Sequence, residues 1–204
     1  MSYYFIRPPK AYRWLFKKAV FRENPNEKTV YLTFDDGPHP EATPFVLGVL
    51  REEEIKGTFF LLGNNALEQP NLAEQIRKEG HAIGNHGMQH LSGWTTPTNK
   101  YVDGVLKAKE ILNTSLFRPP YGRLGISQYN KLKTSEEIVF WDVIAGDFDQ
   151  NQSPKKVKDN VLNNVRNGSI ILMHDNQESL SNLRDSLKET VQELKKKGYS
   201  FGKL

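Results

Sequence analysis

Short apolar runs rich in β-branched and aromatic residues alternate along this chain with longer segments of helical periodicity. The apolar runs predict seven strands: TVYLTF (29–34), GTFFLL (57–62), HAIGN (81–85), LFR (116–118), IVFWDV (138–143), SIILM (169–173) and YSF (199–201). Such an alternation is typical of repeated βα units around a parallel sheet. Seven units in one domain predict an α/β fold, a distorted barrel of the (β/α)7 type, with an open doubly wound sheet as the alternative.

The segments between the strands carry an apolar stripe with a spacing of three or four residues, which predicts helices that cover the sheet. The positions with this spacing are Val102, Val105, Leu106 and Lys109 in one segment, Val157, Val161 and Val165 in a second, and Leu183, Leu187, Val191 and Leu194 in a third. A basic last turn followed by Gly198 predicts the end of the third helix before the final strand.

The first 25 residues predict an N-terminal arm that precedes a domain over 26–204. The arm mixes aromatic and basic residues, and charges interrupt each apolar run before it could form a signal-peptide core. A short helix after Pro8-Pro9 could touch a membrane surface through Trp14, Leu15 and Phe16. We prefer the alternative, in which these aromatic residues pack against the domain. A cytoplasmic or peripheral membrane location is expected, with an extracytoplasmic location as an open alternative.

Composition narrows the chemistry. The 204 residues are 37% hydrophobic, which suits a single globular domain. The chain has no cysteine, so any metal ion must be held by nitrogen and oxygen ligands. The 28 basic and 24 acidic residues are interspersed, and a net charge of +4 gives no reason to expect a nucleic-acid partner.

Unusual polar residues follow five of the predicted strands. They are Asp35 and Asp36, His86 and His90, Arg118, Asp147 and Asp149, and His174 and Asp175. Each alone has an ordinary explanation, such as a turn at Asp-Asp-Gly-Pro, a core histidine at His174 or a helix cap at Asp175. Together they are expected at the carboxyl edge of one sheet, where parallel α/β proteins place their reactive groups.

A divalent cation explains this combination. Asp36, His86 and His90 supply one carboxylate and two imidazoles, the ligand set of an open zinc site that leaves a position for water. Successive side chains diverge, so Asp36 can bind the ion while Asp35 accepts a proton from the bound water. The adjacent acids are therefore predicted to divide two tasks.

The motifs TFDDG (33–37), H-x-x-x-H (86–90), R-P-P-Y-G (118–122) and L-x-H (172–174) occur in this order. As an ordered set they closely resemble the polysaccharide deacetylases of the NodB-homology type, carbohydrate esterase family 4. The resemblance implies a distorted (β/α) barrel that removes N-acetyl groups, or in some members O-acetyl groups, from sugars. It also implies Zn²⁺ or another divalent cation such as Co²⁺.

The resemblance further implies a role for each matching residue. Asp35 would be the general base, Asp36, His86 and His90 the metal ligands, Arg118 the residue that holds the base, Tyr121 the residue whose backbone N–H stabilises the oxyanion, His174 the general acid, and Leu172 part of the acetyl pocket. Tyr121, Phe148 and Trp94 are aromatic residues that could also contact a sugar ring, although Trp94 could equally anchor its own loop.

Three positions depart from the family pattern. Gly87 stands where the family usually has Ser or Thr, Ile144 replaces the first acid of the fourth motif, and Phe148 replaces its tryptophan. We expect the surviving Asp147, or as an alternative Asp149, to pair with Arg118 or to orient His174.

The leading hypothesis is a metal-dependent deacetylase of an N-acetylated glycan or glycoconjugate. The alternative is a non-catalytic sugar-binding relative that retains the fold and metal site. A phosphoester hydrolase is less favoured, because Arg118 and Arg123 supply few cationic groups for a phosphate. Chitin oligomers, peptidoglycan, xylan and a lipid-linked sugar are all open as substrates, as is the oligomeric state.

Overall fold

A computed structural model describes residues 4–204 of the chain, and eight parallel strands form its sheet. The strands are β1 (Thr29–Asp35), β2 (Thr58–Leu61), β3 (Ala82–Asn85), β4 (Leu116–Phe117), β5 (Glu137–Ile138), β6 (Val143–Ile144), β7 (Ile170–His174) and β8 (Ser200–Gly202). Their order is β5-β4-β3-β2-β1-β7-β6, and β8 pairs with the first residues of β1. The sheet curls into an incomplete barrel, so the predicted single-domain (β/α) barrel is confirmed.

Within residues 4–204, eight α-helices connect and cover these strands. They are α1 (Lys10–Leu15), α2 (Ala42–Glu52), α3 (Gly63–Glu68), α4 (Pro70–Lys78), α5 (Thr98–Leu112), α6 (Ile126–Leu132), α7 (Pro154–Leu162) and α8 (Leu180–Lys196). The three predicted apolar stripes lie on α5, α7 and α8. Two positions differ from the prediction, because Leu106 is exposed and Val165 lies beyond the end of α7.

The predicted strand at 138–143 is wrong as a single strand. It consists of β5 and β6, which lie at opposite ends of the sheet order. Between them the partner changes: the Phe140 amide donates to the Val20 carbonyl at 2.8 Å, and the Asp142 amide donates to the Ile170 carbonyl at 2.9 Å. Most residues of the segment 138–143 are buried. The sequence is therefore largely apolar along this segment and does not show where one strand ends and the next begins.

Part of the N-terminal region fills the gap between the two ends of the sheet. Val20 pairs with Val139 of the crossing segment, and Arg22 pairs with Ser169 just before β7. Phe16 and Phe21 are buried and stack on Phe140 with ring centroids 5.4 and 4.7 Å apart. These residues therefore belong to the packed domain.

Two apolar residues of α1 are exposed to solvent rather than buried in the domain. Trp14 is 73% exposed and Leu15 43% exposed, whereas Phe16 is buried. Contact of Trp14 and Leu15 with a membrane surface stays a prediction. The same holds for the end of the N-terminal arm at residue 25 and for the cellular location of the protein. Within residues 4–204, each helix is too short or too polar to cross a membrane.

Candidate active site

The two adjacent acids lie at the carboxyl end of β1, next to the middle of the sheet. Asp35 is the last residue of β1, and Asp36 has a φ of 81°, in the left-handed region that Asp tolerates better than most residues. The chain turns sharply at this point, and the two side chains face different neighbours. Asp35 contacts Arg118, whereas Asp36 faces His86 and His90.

Asp36, His86 and His90 form a cluster that could hold a metal ion. Asp36 Oδ1 lies 3.5 Å from His86 Nε2 and 3.3 Å from His90 Nε2. The three ligand atoms all lie within 4.8 Å of one another. The cluster is the only such group of three metal-ligating residues in the part of the chain that the structure describes.

The protonation of this cluster suits a cation. His86 Nδ1 lies 2.8 Å from the Arg118 carbonyl, which can only accept, so Nδ1 carries the proton and Nε2 presents its lone pair. Burial lowers the pKa of His86 and of His90 to about 4, so both rings are neutral near pH 7. Asp36 Oδ1 is buried without a hydrogen-bond partner among residues 4–204, a costly state that a bound cation would relieve.

The amide side chains of Asn176 and Asn85 hold the cluster in place through hydrogen bonds. Asn176 Nδ2 donates to Asp36 Oδ2 at 2.7 Å, which leaves Oδ1 facing the histidines. The buried Asn85 side chain accepts from the Gly87 amide at 2.7 Å and donates to the Val105 carbonyl at 2.8 Å. Gly87 has a φ of 85°, a conformation that favours glycine. Asn85 thus steadies the loop that lacks the family's usual hydroxyl at Gly87.

Arg118 fixes the orientation of Asp35 inside the barrel. The buried guanidinium donates to Asp35 Oδ1 at 2.7 Å, to Thr33 Oγ1 at 2.7 Å and to the Phe140 carbonyl at 3.0 Å. Burial raises the pKa of Asp35 to about 6 despite the nearby Arg118. Asp35 is therefore a carboxylate above pH 6 that can still take up a proton near neutrality. Its second oxygen, Oδ2, lies 3.8 Å from His86 Nε2.

His174 lies beside Asp35, because the two residues pair in register between β7 and β1. Asp147 Oδ1 lies 3.1 Å from His174 Nδ1, and Asp147 Oδ2 accepts from the His174 backbone N–H at 2.7 Å. Burial alone would lower the pKa of His174, but the Asp147 carboxylate outweighs it and raises the pKa to about 9. Of the two expected partners of Asp147, the structure shows His174. Asp149 instead accepts from the Asn151 amide.

The remaining predicted residues surround this set. The Tyr121 ring is 58% exposed and lies 4.2 Å from the His90 ring, centroid to centroid, and its backbone φ is 59°. Leu172 is buried in β7 opposite Ile144. Phe148 is half-buried, with its ring centroid 5.2 Å from that of His174. Tyr121 and Phe148 thus contact different histidines of the site.

Sequence reasoning missed the supporting role of Asp175. Its side chain accepts from the Gly37 amide at 3.2 Å and from the Thr43 hydroxyl at 2.5 Å, and burial raises its pKa to about 8. A Cβ on Gly37 would lie 2.2 Å from Asp175 Oδ2, so the glycine of the first motif is needed for this close approach. Asp175 is not a helix cap, since α8 begins only at Leu180. Its position directly after His174 was the available signal.

Comparison with known proteins places this geometry in a family. The family profile described as polysaccharide deacetylase matches residues 22–136. The chain belongs to the polysaccharide deacetylase family. The predicted membership in the NodB-homology deacetylases, carbohydrate esterase family 4, is confirmed.

Individual relatives cover nearly the whole chain. A peptidoglycan-N-acetylglucosamine deacetylase of Bacillus cereus is 38% identical over 202 residues, covering 93% of this chain and 72% of the relative. The peptidoglycan-N-acetylmuramic acid deacetylase PdaA of Bacillus subtilis is 34% identical over 199 residues, covering 90% of this chain and 72% of the relative. The crystal structure of the Bc1960 peptidoglycan N-acetylglucosamine deacetylase aligns with a TM-score of 0.89 at 36% identity, covering 95% of this chain and 94% of the other.

Proposed function

We propose that this protein is a metal-dependent hydrolase that removes N-acetyl groups from a glycan. Its homologues support a carbohydrate deacetylase. The observation that carries the mechanism is the convergence of three sets of residues at the carboxyl end of β1. They are the metal-ligating cluster, the Asp35–Arg118 pair and the Asp147–His174 pair.

Asp36, His86 and His90 would hold the ion. A carboxylate with two imidazoles matches the protein ligands of catalytic zinc sites, and Co²⁺ accepts the same ligand types. An ion held there would act as a Lewis acid that polarises the acetyl carbonyl and makes water acidic enough to attack near pH 7.

Asp35 serves as the general base. Arg118 holds one of its oxygens, and the other faces the metal-ligating cluster, where it can accept the proton of the attacking water. With a pKa of about 6, Asp35 is ionised at neutral pH. The backbone N–H of Tyr121, in the turn at Pro120–Gly122, stabilises the negative charge that develops on the acetyl oxygen.

His174 serves as the general acid. Asp147 keeps the His174 imidazole protonated at neutral pH, so the ring can donate its Nε2 proton to the departing amine. Phe148, which contacts the His174 ring, and Leu172, two residues before His174 in β7, would form part of the pocket for the acetyl group and its sugar. The names of the relatives support N-acetylated sugars of peptidoglycan as the substrate class.

Acetate release from N-acetylglucosamine oligomers tests this proposal, with zinc present and after chelation. We expect release that depends on the metal. Asp35→Asn should retain the bound ion but lose roughly 10²- to 10⁴-fold in turnover, while the exposed Asp185→Asn on α8 serves as the control. Turnover that persists in Asp35→Asn would reject Asp35 as the base. The absence of metal-dependent release from any acetylated glycan would favour a non-catalytic sugar-binding relative instead.

A further inference from the structure

Two exposed aromatic rings and an arginine extend outward from the candidate metal ligands. Trp94 is 62% exposed and Tyr121 58% exposed. The Arg123 guanidinium lies 5.1 Å from the Trp94 ring centroid and 5.4 Å from that of Tyr121. We call Trp94, Tyr121 and Arg123 the rim platform. It joins the metal-ligating cluster, because the Tyr121 ring packs against His90.

Buried hydrogen bonds hold the two loops of the rim platform together. The buried Gln128 side chain donates to the Gly93 carbonyl at 2.8 Å and to the Thr96 carbonyl at 3.1 Å, and accepts from the Gly125 amide at 2.8 Å. The Gly93 amide also donates to the Arg123 carbonyl at 3.2 Å. Gln128 and backbone groups thus anchor the loop of Trp94, and the indole itself stays in solvent.

Among the described residues, the Arg123 guanidinium has no acidic partner. Among residues 4–204 it makes no ion pair, whereas Arg51, Arg118 and Arg166 each bind a carboxylate. The exposed guanidinium lies over two aromatic rings, and its N–H groups have no carboxylate partner within the described part of the chain. A guanidinium in this state can bind a carboxylate with two parallel hydrogen bonds at little ordering cost.

We propose that the rim platform binds a second sugar of the glycan and that Arg123 recognises a carboxylate on it. The C–H face of a pyranose ring is apolar and can pack on an exposed aromatic ring such as Trp94. The substrate class is therefore an N-acetylated glycan that carries carboxylate groups, in preference to a neutral one. This inference rests on the proposed function, because it takes the adjacent cluster as the place where the acetyl group is cleaved.

Kinetics on a matched substrate pair tests the role of Arg123. The pair is an N-acetylated tetrasaccharide with free muramic-acid carboxylates, and the same tetrasaccharide with those carboxylates converted to methylamides. We expect the zinc-loaded wild type to show a KM about tenfold lower for the charged form, with a smaller ratio at high salt. Arg123→Gln should bring the ratio near one. Arg184→Gln, at another exposed arginine, should keep it.

Binding provides a readout that does not require turnover. Calorimetry on the zinc-loaded Asp35→Asn protein should show weaker binding of the charged tetrasaccharide when Trp94→Ala or Arg123→Gln is added. Trp14→Ala, at an exposed tryptophan on α1, should leave binding unchanged.

The results separate the two proposals. If acetate is released with equal KM from both tetrasaccharides, or if Arg123→Gln keeps the wild-type ratio, the platform does not recognise the carboxylate, while the deacetylase function stands. If neither tetrasaccharide nor any other N-acetylated glycan releases acetate, but the charged form binds more tightly through Arg123, the subsite stands and the deacetylase function fails.

Discussion

Neighbouring carboxylates in this site differ in pKa because their surroundings differ. Asp35 and Asp36 are adjacent, yet burial raises the pKa of Asp35 to about 6. Desolvation of the partly buried Asp36 would raise its pKa, but His174, His86, His90 and the hydrogen bond from Asn176 outweigh this effect and lower it. These opposite shifts suit the proposed division of tasks between the two carboxylates, a base that can take up a proton and an anion that can bind a cation.

Asp147→Asn should lower the pKa of His174 from about 9 toward its ordinary value of 6.5. The carboxylate that contributes most to raising the pKa is lost and burial still disfavours the charged ring, while Asp36 and Asp35 continue to favour it. NMR titration of the five histidines in the metal-free protein measures this change. In activity assays, the alkaline limit should move to lower pH, because His174 must be protonated to act as the proposed general acid.

The same pair gives stability a defined pH dependence. The folded pKa of His174 lies above its ordinary value of 6.5. The stabilisation is therefore complete below pH 6.5 and is lost as the pH rises through about 9. Asp147→Asn should flatten this decline, and Asp149→Asn should not. An unchanged His174 titration in Asp147→Asn would show that another group sets its charge.

Gly87→Ser, which introduces a residue typical of the family, should destabilise this chain. The left-handed backbone at Gly87 costs a serine about 1 to 2 kcal/mol, and an added Cβ would lie 3.2 Å from the Gln89 carbonyl oxygen. Urea unfolding measures the loss. Gly48→Ser in α2 is the matched control, because its Cβ would meet no atom within 4 Å. Equal effects at the two sites would contradict this account.

At the scale of elements, one buried acid joins the N-terminal region to the barrel. Asp142 lies just before β6, and its buried carboxylate binds Arg7 at 2.9 Å, Arg13 at 3.1 Å and Arg166 at 2.5 Å. Burial alone would raise the pKa of Asp142, but hydrogen bonds from Arg166 and Ser169 and the nearby arginines lower it. Its contribution to stability is therefore present above about pH 4 and is lost as the pH falls further.

Asp142→Asn should cost on the order of 1 to 3 kcal/mol, because charge-assisted hydrogen bonds from three partly exposed guanidinium groups are lost. Denaturant unfolding gives the magnitude, and limited proteolysis should show faster cleavage before residue 25. Asp159→Asn, which removes an exposed pair with Lys155, is the control and should behave as wild type. Unchanged proteolysis in Asp142→Asn would mean that aromatic packing alone holds this segment.

The helices and strands that were predicted correctly are those whose pattern of apolar residues lies within one short segment of the chain. Most strands and the longer helices follow from apolar periodicity, and Asp36, His86 and His174 follow from their places after strands. The split of 138–143 has no local signal, because each half is apolar and the change of partner is a long-range event. Asn85, Asn176 and Gln128 were missed for a related reason, since amide side chains that hold loops have no characteristic spacing.

At the scale of the whole molecule, the site exists because β1 has neighbours on both sides. β2 and β7 both pair with β1, which brings His174 beside Asp35 although they are far apart in sequence. Arg118 reaches Asp35 from the end of β4 through the barrel interior, where it also lies over the Phe60 ring at 4.0 Å. The sequence motifs indicate which residues form the site, and the curvature of the sheet brings their side chains within contact distance.

A bound ion would connect the end of β1 to the loop after β3, so zinc should stabilise the whole fold. Binding to the folded state at about 100 times the dissociation constant contributes roughly 2.7 kcal/mol, which for this chain length corresponds to roughly 5 to 10 °C in Tm. Scanning calorimetry of the chelated protein before and after zinc addition measures the shift. Asp36→Ala should abolish the zinc-induced shift in Tm, because the carboxylate shared by His86 and His90 is lost. Mg²⁺, which prefers oxygen ligands, should have little effect on the Tm of the wild type. An equal zinc shift in Asp36→Ala would show that the stabilising ion binds elsewhere.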